Sequence, residues 1–153
     1  MARINVNTIH FLQNQGCVVV STIDKGGFPH SSCKGIVEIT GDGRIYLLDV
    51  YKARTYENLK RNAHISITAV DEHRFRGYCL KGKAKIIPRD KLDQKIIKAW
   101  EASITGRLTQ RLLRNIREEK GHPGHPEALL PQPQYLIAMD VNEVVDLTPG
   151  HLK

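Results

Sequence analysis

The densest concentration of chemistry in the sequence is Tyr51-Lys52-Ala53-Arg54-Thr55-Tyr56-Glu57-Asn58-Leu59. It sets two cations, a hydroxyl and an amide where an extended segment turns into a helix. The free amides of a helix's first turn point outward with partial positive charge, so an anion there gains hydrogen bonds and dipole attraction together. A phosphate is the natural guest. Lys52 and Arg54 supply charge-assisted contacts, Arg54 with a bidentate fork, and Thr55 either caps the helix or donates its hydroxyl. The same residues also read as a solvated basic loop with Thr55 as an ordinary N-cap.

Other reactive side chains give weaker patterns. His122, His125 and His151 lack the i, i+4 helical spacing or the cysteine companion that a zinc site needs, so no metal site is expected. Cys17, Cys33 and Cys79 are an odd number at unrelated spacings, which fits reduced thiols acting as small buried side chains. Arg107, Arg111 and Arg114 fall near one helix face and invite a nucleic-acid reading, but aromatics make up only 6% of the chain and none cluster beside them. An amphipathic helix covering the core is the expected role, with no nucleic-acid partner.

These groups need a scaffold. Val6 to Gln15 reads as a helix ended by Gly16 in a left-handed cap. Cys17 to Ile23 is a β-branched run closed by Asp24-Lys25-Gly26-Gly27, whose glycines can take positive φ in a hairpin. Strands follow at Pro29 to Thr40 and Ile45 to Val50, then a short helix from about Thr55 to Arg61. His64 to Val70 alternates with period two. Next, Tyr78, Leu80, Gly82, Ala84 and Ile86 share one strand face, while Cys79, Lys81, Lys83 and Lys85 share the other. The lysine row reads as a solvated face that discourages edge-to-edge pairing.

Residues 89–120 read as a helical excursion in two pieces broken near Thr105-Gly106, with Ile104, Leu108, Leu112 and Ile116 as the apolar stripe of the second. Gly121 to Pro126 is a loop by composition. A returning strand at about 135–147 places Tyr135, Ile137, Met139 and Val141 on one face before its phase slips at Asn142-Glu143, as at a bulge. Residues 1–153 form one domain in this reading, mainly β, with six strands in a small closed or nearly closed barrel and peripheral helices.

Composition sets outer bounds. With 153 residues, 41% apolar and 25% charged, the chain has ordinary globular makeup. Lys plus Arg at 23 against Asp plus Glu at 16 gives +7, which favours anionic partners. No window approaches the roughly 18 apolar residues of a membrane span, and Met1 to Asn5 lacks the layout of a secretory signal, so a cytoplasmic location without membrane association is expected.

The order Val18-Val19-Val20-Ser21-Thr22, Gly27-Phe28-Pro29-His30, Gly43-Arg44-Ile45-Tyr46-Leu47, Asn58-Leu59-Lys60-Arg61-Asn62 and Gly82-Lys83-Ala84 resembles the pyridoxamine 5′-phosphate oxidase-like superfamily. The resemblance covers about Val6 to Pro88. It implies a six-stranded split β-barrel, usually a homodimer, with two FMN molecules in clefts at the subunit interface. It also implies that Arg54 and Thr55 hold the FMN phosphate, assisted by Lys52 and Asn58. Ser31, Ser32, Cys33 and Lys34 then line the flavin, and Leu48, Asp49 and Val50 face the isoalloxazine edge. Lys34 and the hydroxyls of Ser31 and Ser32 are candidates for tuning the ring. No protein acid, base or nucleophile is required by this logic, so no catalytic residue is assigned.

Members that oxidise pyridoxamine phosphate carry a C-terminal arginine and histidine motif, which Asp140 to Lys153 does not match. The chain is more similar to the small relatives that include flavin reductases, nitroreductase-like proteins and general-stress proteins. The implied function is a flavin-dependent oxidoreductase of unassigned small-molecule substrate, with NADH or NADPH as a possible electron donor. A non-catalytic cofactor-binding or stress-response module on the same barrel is the alternative, and some relatives bind haem or a deazaflavin coenzyme in place of FMN.

Overall fold

The computed structural model describes residues 1–119, 121–124 and 133–153. Helix α1 (Val6–Gln13) leads into β1 (Val18–Ile23), β2 (Pro29–Ile39) and β3 (Arg44–Leu48). Then come α2 (Arg54–Arg61), β4 (His64–Asp71), β5 (Arg76–Pro88), α3 (Gln94–Ile116) and β6 (Tyr135–Asp146). The strands close into an antiparallel barrel in the order β1-β2-β3-β6-β5-β4, with β4 pairing back onto β1. The expected mainly β, six-stranded barrel is therefore the fold.

Closure follows from alternation. Val18 and Val20 of β1, Ile65, Ile67 and Ala69 of β4, and Tyr78, Leu80 and Ala84 of β5 point into one cluster. Ile45 and Leu47 of β3 join them with Ile137, Met139 and Val141 of β6. Strand β6 is buried on both faces. Its Leu136 belongs to a second cluster with Val37, Leu48, Ile96, Trp100 and Ile104, where α3 covers the outside of the barrel.

Two bulges shape the sheet. Ile36 pairs with Leu47 and Glu38 with Tyr46, which leaves Val37 extra and turns it outward onto α3. Arg107 of α3 donates to the Ile36 carbonyl at 3.0 Å, and its guanidinium lies over Gly35. That arginine is thus part of the packing of α3 on β2. The second bulge is at Asn142, since Lys81 pairs with Glu143 while Gly82 pairs with Val141. This is where the sequence pattern slips phase.

The structure corrects several local expectations. Helix α1 stops at Gln13 with Asn14 as a right-handed C-cap, and the left-handed glycines are Gly27, as expected for the hairpin, and Gly43. Helix α3 runs unbroken through Thr105-Gly106, because Trp100 and Ile104 on one side and Arg107 on the other anchor it to the barrel. Only the first part of its proposed stripe is covered: Ile104 is buried, whereas Leu112 and Ile116 are exposed. Cys17 and Cys33 are exposed and Cys79 is half-buried, because Cys33 and Cys79 occupy outward register positions. The lysines of β5 protect no edge, since β5 is paired on both sides.

Among the described residues, no helix is long and apolar enough to cross a membrane, and no three His, Cys, Asp or Glu side chains group as a metal site. His125 lies outside those residues.

A Cβ at Gly82 would collide with the Asp140 carbonyl oxygen beside the second bulge. Gly82→Ala is expected to cost about 1–3 kcal/mol, the usual toll of overpacking against backbone, read as a lowered urea midpoint with an unchanged m-value.

Candidate functional site

Helix α2 follows a tight turn in which the Ala53 amide bonds the Tyr51 carbonyl at 2.7 Å. Its N-cap is Ala53, which has no side chain to satisfy the amides of the first turn. Thr55 is therefore not the cap; it is the second helical residue. Its hydroxyl lies 3.0 Å from the Ser32 hydroxyl of β2 and is almost wholly buried. Arg54 is exposed, and Lys52 rests its ammonium 4.6 Å from the centre of the Tyr56 ring, a cation–π contact. The mouth thus combines uncapped amides, two solvent-facing cations and a hydroxyl pair.

One turn further along, Asn58 is buried beneath the helix. It donates from Nδ2 to Thr22 Oγ1 at 3.0 Å and accepts from Arg61 at 2.9 Å. These bonds lock α2 onto β1, so Asn58 acts on the mouth by holding the helix in place. A polar residue buried on the apolar side of a short helix is tolerable only because its amide is paired at both ends.

Beside the mouth lies a second polar unit. Lys34 Nζ is 2.7 Å from Asp49 Oδ1, and the two side chains are 12% and 1% exposed. The Tyr135 hydroxyl donates to Asp49 Oδ2 at 2.6 Å. Burial first, and then the bond to the Asp49 carboxylate, push the Tyr135 hydroxyl pKa well above the usual phenol range. Tyr135 also packs edge-on against Tyr56 at 5.0 Å, which couples this unit to α2.

The residues singled out in the sequence divide by strand alternation. Ser32, Lys34, Asp49, Thr55 and Asn58 converge on the inner side of the barrel beneath α2, with Lys52 and Arg54 at its rim. Ser31 and Cys33 face the opposite side of β2: Ser31 bonds Ser21 at 2.9 Å on the outer surface, and Cys33 pairs across from Val19. Leu48 and Val50 pack in the cluster beneath α3. Ser31 to Lys34 therefore do not form a single wall. Sequence reasoning missed Thr22, hidden in a β-branched run, and Tyr135, read only as a core position. The signal for Tyr135 was Asp49 itself, a carboxylate in an apolar strand end that needs donors.

A closed antiparallel barrel carrying this helix mouth belongs to a recognisable class. Residues 8–130 match the family profile described as pyridoxamine 5′-phosphate oxidase, and the chain belongs to that family. No curated protein matches it. Similar solved structures include HupZ of Group A Streptococcus, at 20% identity and TM-score 0.66, covering 96% of this chain and 97% of that one. The heme storage protein HutZ of Vibrio cholerae is similar at 16% identity and TM-score 0.57, covering 94% of each chain. An F420 reductase is similar at 16% identity and TM-score 0.55, covering 89% of this chain and 94% of the other. At these identities the likeness is one of fold.

Removing one member of a buried pair strands the other charge. Asp49→Ala is expected to lose about 3–5 kcal/mol of stability and Tyr135→Phe about 1–3 kcal/mol, both by urea denaturation. Because the folded pKa of Tyr135 is raised, its contribution is fully present below the unfolded value of about 10 and fades as pH climbs through the folded one. The stability gap between the native protein and Tyr135→Phe should accordingly narrow above about pH 10.

Proposed function

We propose that the chain is an FMN-binding oxidoreductase acting on a small molecule, with the flavin held in clefts between two copies of the chain. The carrying observation is the mouth of α2, whose first-turn amides have no side-chain cap while Lys52 and Arg54 stand exposed beside the Ser32–Thr55 hydroxyl pair. That donor set fits a phosphate: the first-turn amides, the hydroxyl pair and the two cations all can donate, and the one first-turn carboxylate, Glu57, is exposed and lies 4.0 Å from Lys60. Membership of the pyridoxamine 5′-phosphate oxidase family supports the reading.

Bound there, the coenzyme supplies the redox chemistry, with NADH or NADPH as the electron donor. The chain's residues do the holding. Arg54 and Lys52 neutralise the phosphate, and Thr55 and Ser32 orient it. Asn58 fixes the helix, and Lys34, pinned by Asp49, sets a positive charge beside the site. Val19, 42% exposed on the outer sheet face, gives apolar surface for a second copy to cover. Oxidation of pyridoxamine phosphate itself is not the proposed activity, because Asp140 to Lys153 contains no arginine to grip a substrate phosphate.

One observation favours a second reading. Lys34, Asp49 and Tyr135 engage one another by an ion pair and a hydrogen bond, which ties up the acid and base beside the mouth and suits a module that binds a cofactor, whether flavin, haem or deazaflavin, without turning it over.

Arg54→Ala should weaken FMN by about 10- to 100-fold, the worth of a charge-assisted hydrogen bond, and riboflavin hardly at all, as followed by quenching of flavin fluorescence. Equal losses for both ligands would remove the phosphate assignment. Stopped-flow reduction of the bound flavin by NADH or NADPH separates enzyme from inert module.

A further inference from the structure

A groove of about 430 Å³ lies on the outside of the barrel, where the end of β1, the start of β4 and the middle of β5 meet the β6 bulge. Its volume is in the range of small-molecule pockets, roughly 300–1,000 Å³. The floor is unusually bare for an outer sheet face. Ser21 pairs with Ser66 across β1 and β4, and Ser66 with Lys81 across β4 and β5, while Thr22, Ile65 and Gly82 between them belong to the inward face and offer the groove only backbone. Ile23 and Pro29 form an apolar wall at one side. The Asn142 bulge re-aims β6 at the other, and Gly82 alone permits the close backbone approach on which that bulge depends.

The charges at the rim are unequal. Lys81 and Glu143 neutralise each other at 3.1 Å. Lys83 is exposed and has no ionic partner among the described residues. His64 stands across from Lys83 in register, its ring fixed by Nδ1 lying 2.7 Å from Asn62 Oδ1. One uncompensated cation thus overlooks a flat, partly apolar floor with hydroxyls. The groove also begins where α2 ends, a helix length of about 12 Å from the phosphate-binding mouth at its other end.

The geometry points to a second ligand site in this groove, for a flat anionic small molecule such as an aromatic carboxylate, with its ring on the Ser21–Ser66 floor and its charge toward Lys83. The inference goes beyond the flavin reading and does not rest on it. The β6 bulge opens the space, the short serine side chains keep it shallow and planar, and Lys83 selects the sign of the guest.

The test is titration of the full chain, without and with saturating FMN, by 2-naphthoate and by its neutral analogue 2-naphthamide, followed by probe fluorescence and by amide shifts at Ser21, Ser66 and Gly82. The naphthoate should bind more tightly than the amide and shift those amides. Lys83→Met should weaken it about fivefold and Glu143→Gln should tighten it about threefold, the scale of exposed charge interactions, with both effects shrinking at high salt. Lys83→Arg should restore binding. Opposite signs from two surface variants cannot come from misfolding. Equal affinity for the neutral analogue, indifference to both charge variants, or one-for-one displacement of naphthoate by FMN would each overturn the proposal, the last by assigning the groove to the coenzyme.

Discussion

The Asp49 carboxylate is the interaction on which the site's geometry depends. With its side chain 1% exposed, a carboxylate here is costly to bury alone, and it is flanked by Lys34 of β2, 2.7 Å from Oδ1, and by the Tyr135 hydroxyl, which donates to Oδ2. The β2–β3 hairpin and the start of β6, 86 residues beyond Asp49, are thereby pinned together. Tyr135 passes the constraint on through its ring, which meets Tyr56 of α2 edge-on. The helix is held a second time by Asn58 on Thr22. The exposed cations at the helix mouth are thus mounted on buried polar groups held by an ion pair and hydrogen bonds. This arrangement fixes the helix mouth through the protein's own contacts.

Much of this architecture is written in local pattern. The two-residue period of His64 to Val70 and of Tyr78 to Ile86 gave the inward faces correctly, because a closed barrel rewards alternation in nearly every strand. The phase slip at Asn142 was readable for the same reason: a bulge shifts the period by one residue. The bulge at Val37 was not, since Ile36, Val37 and Ile39 are all apolar and either phase fits the composition.

The site was half legible. Its exposed cations at Lys52 and Arg54 follow from residue type and helix position alone. The sorting of Ser31 to Lys34 onto two faces depends on a register that only the partner strands decide. Tyr135 could not be connected to Asp49 from sequence because 86 residues separate them. Similarly, the unbroken α3 reflects tertiary override of a weak glycine signal: Trp100 and Ile104 anchor the helix on one side of Gly106, and Arg107 does so on the other.

Strand order carries a consequence for biosynthesis. β6 fits between β3 and β5, yet it is the last of the six barrel strands to leave the ribosome. Until it emerges, both of those neighbours present raw, hydrogen-bond-hungry borders, and the half-built cylinder is a gapped shell. Pairings of such long sequence separation form slowly, so the nascent chain passes through a sticky interval that ends only when the final ribbon slots home.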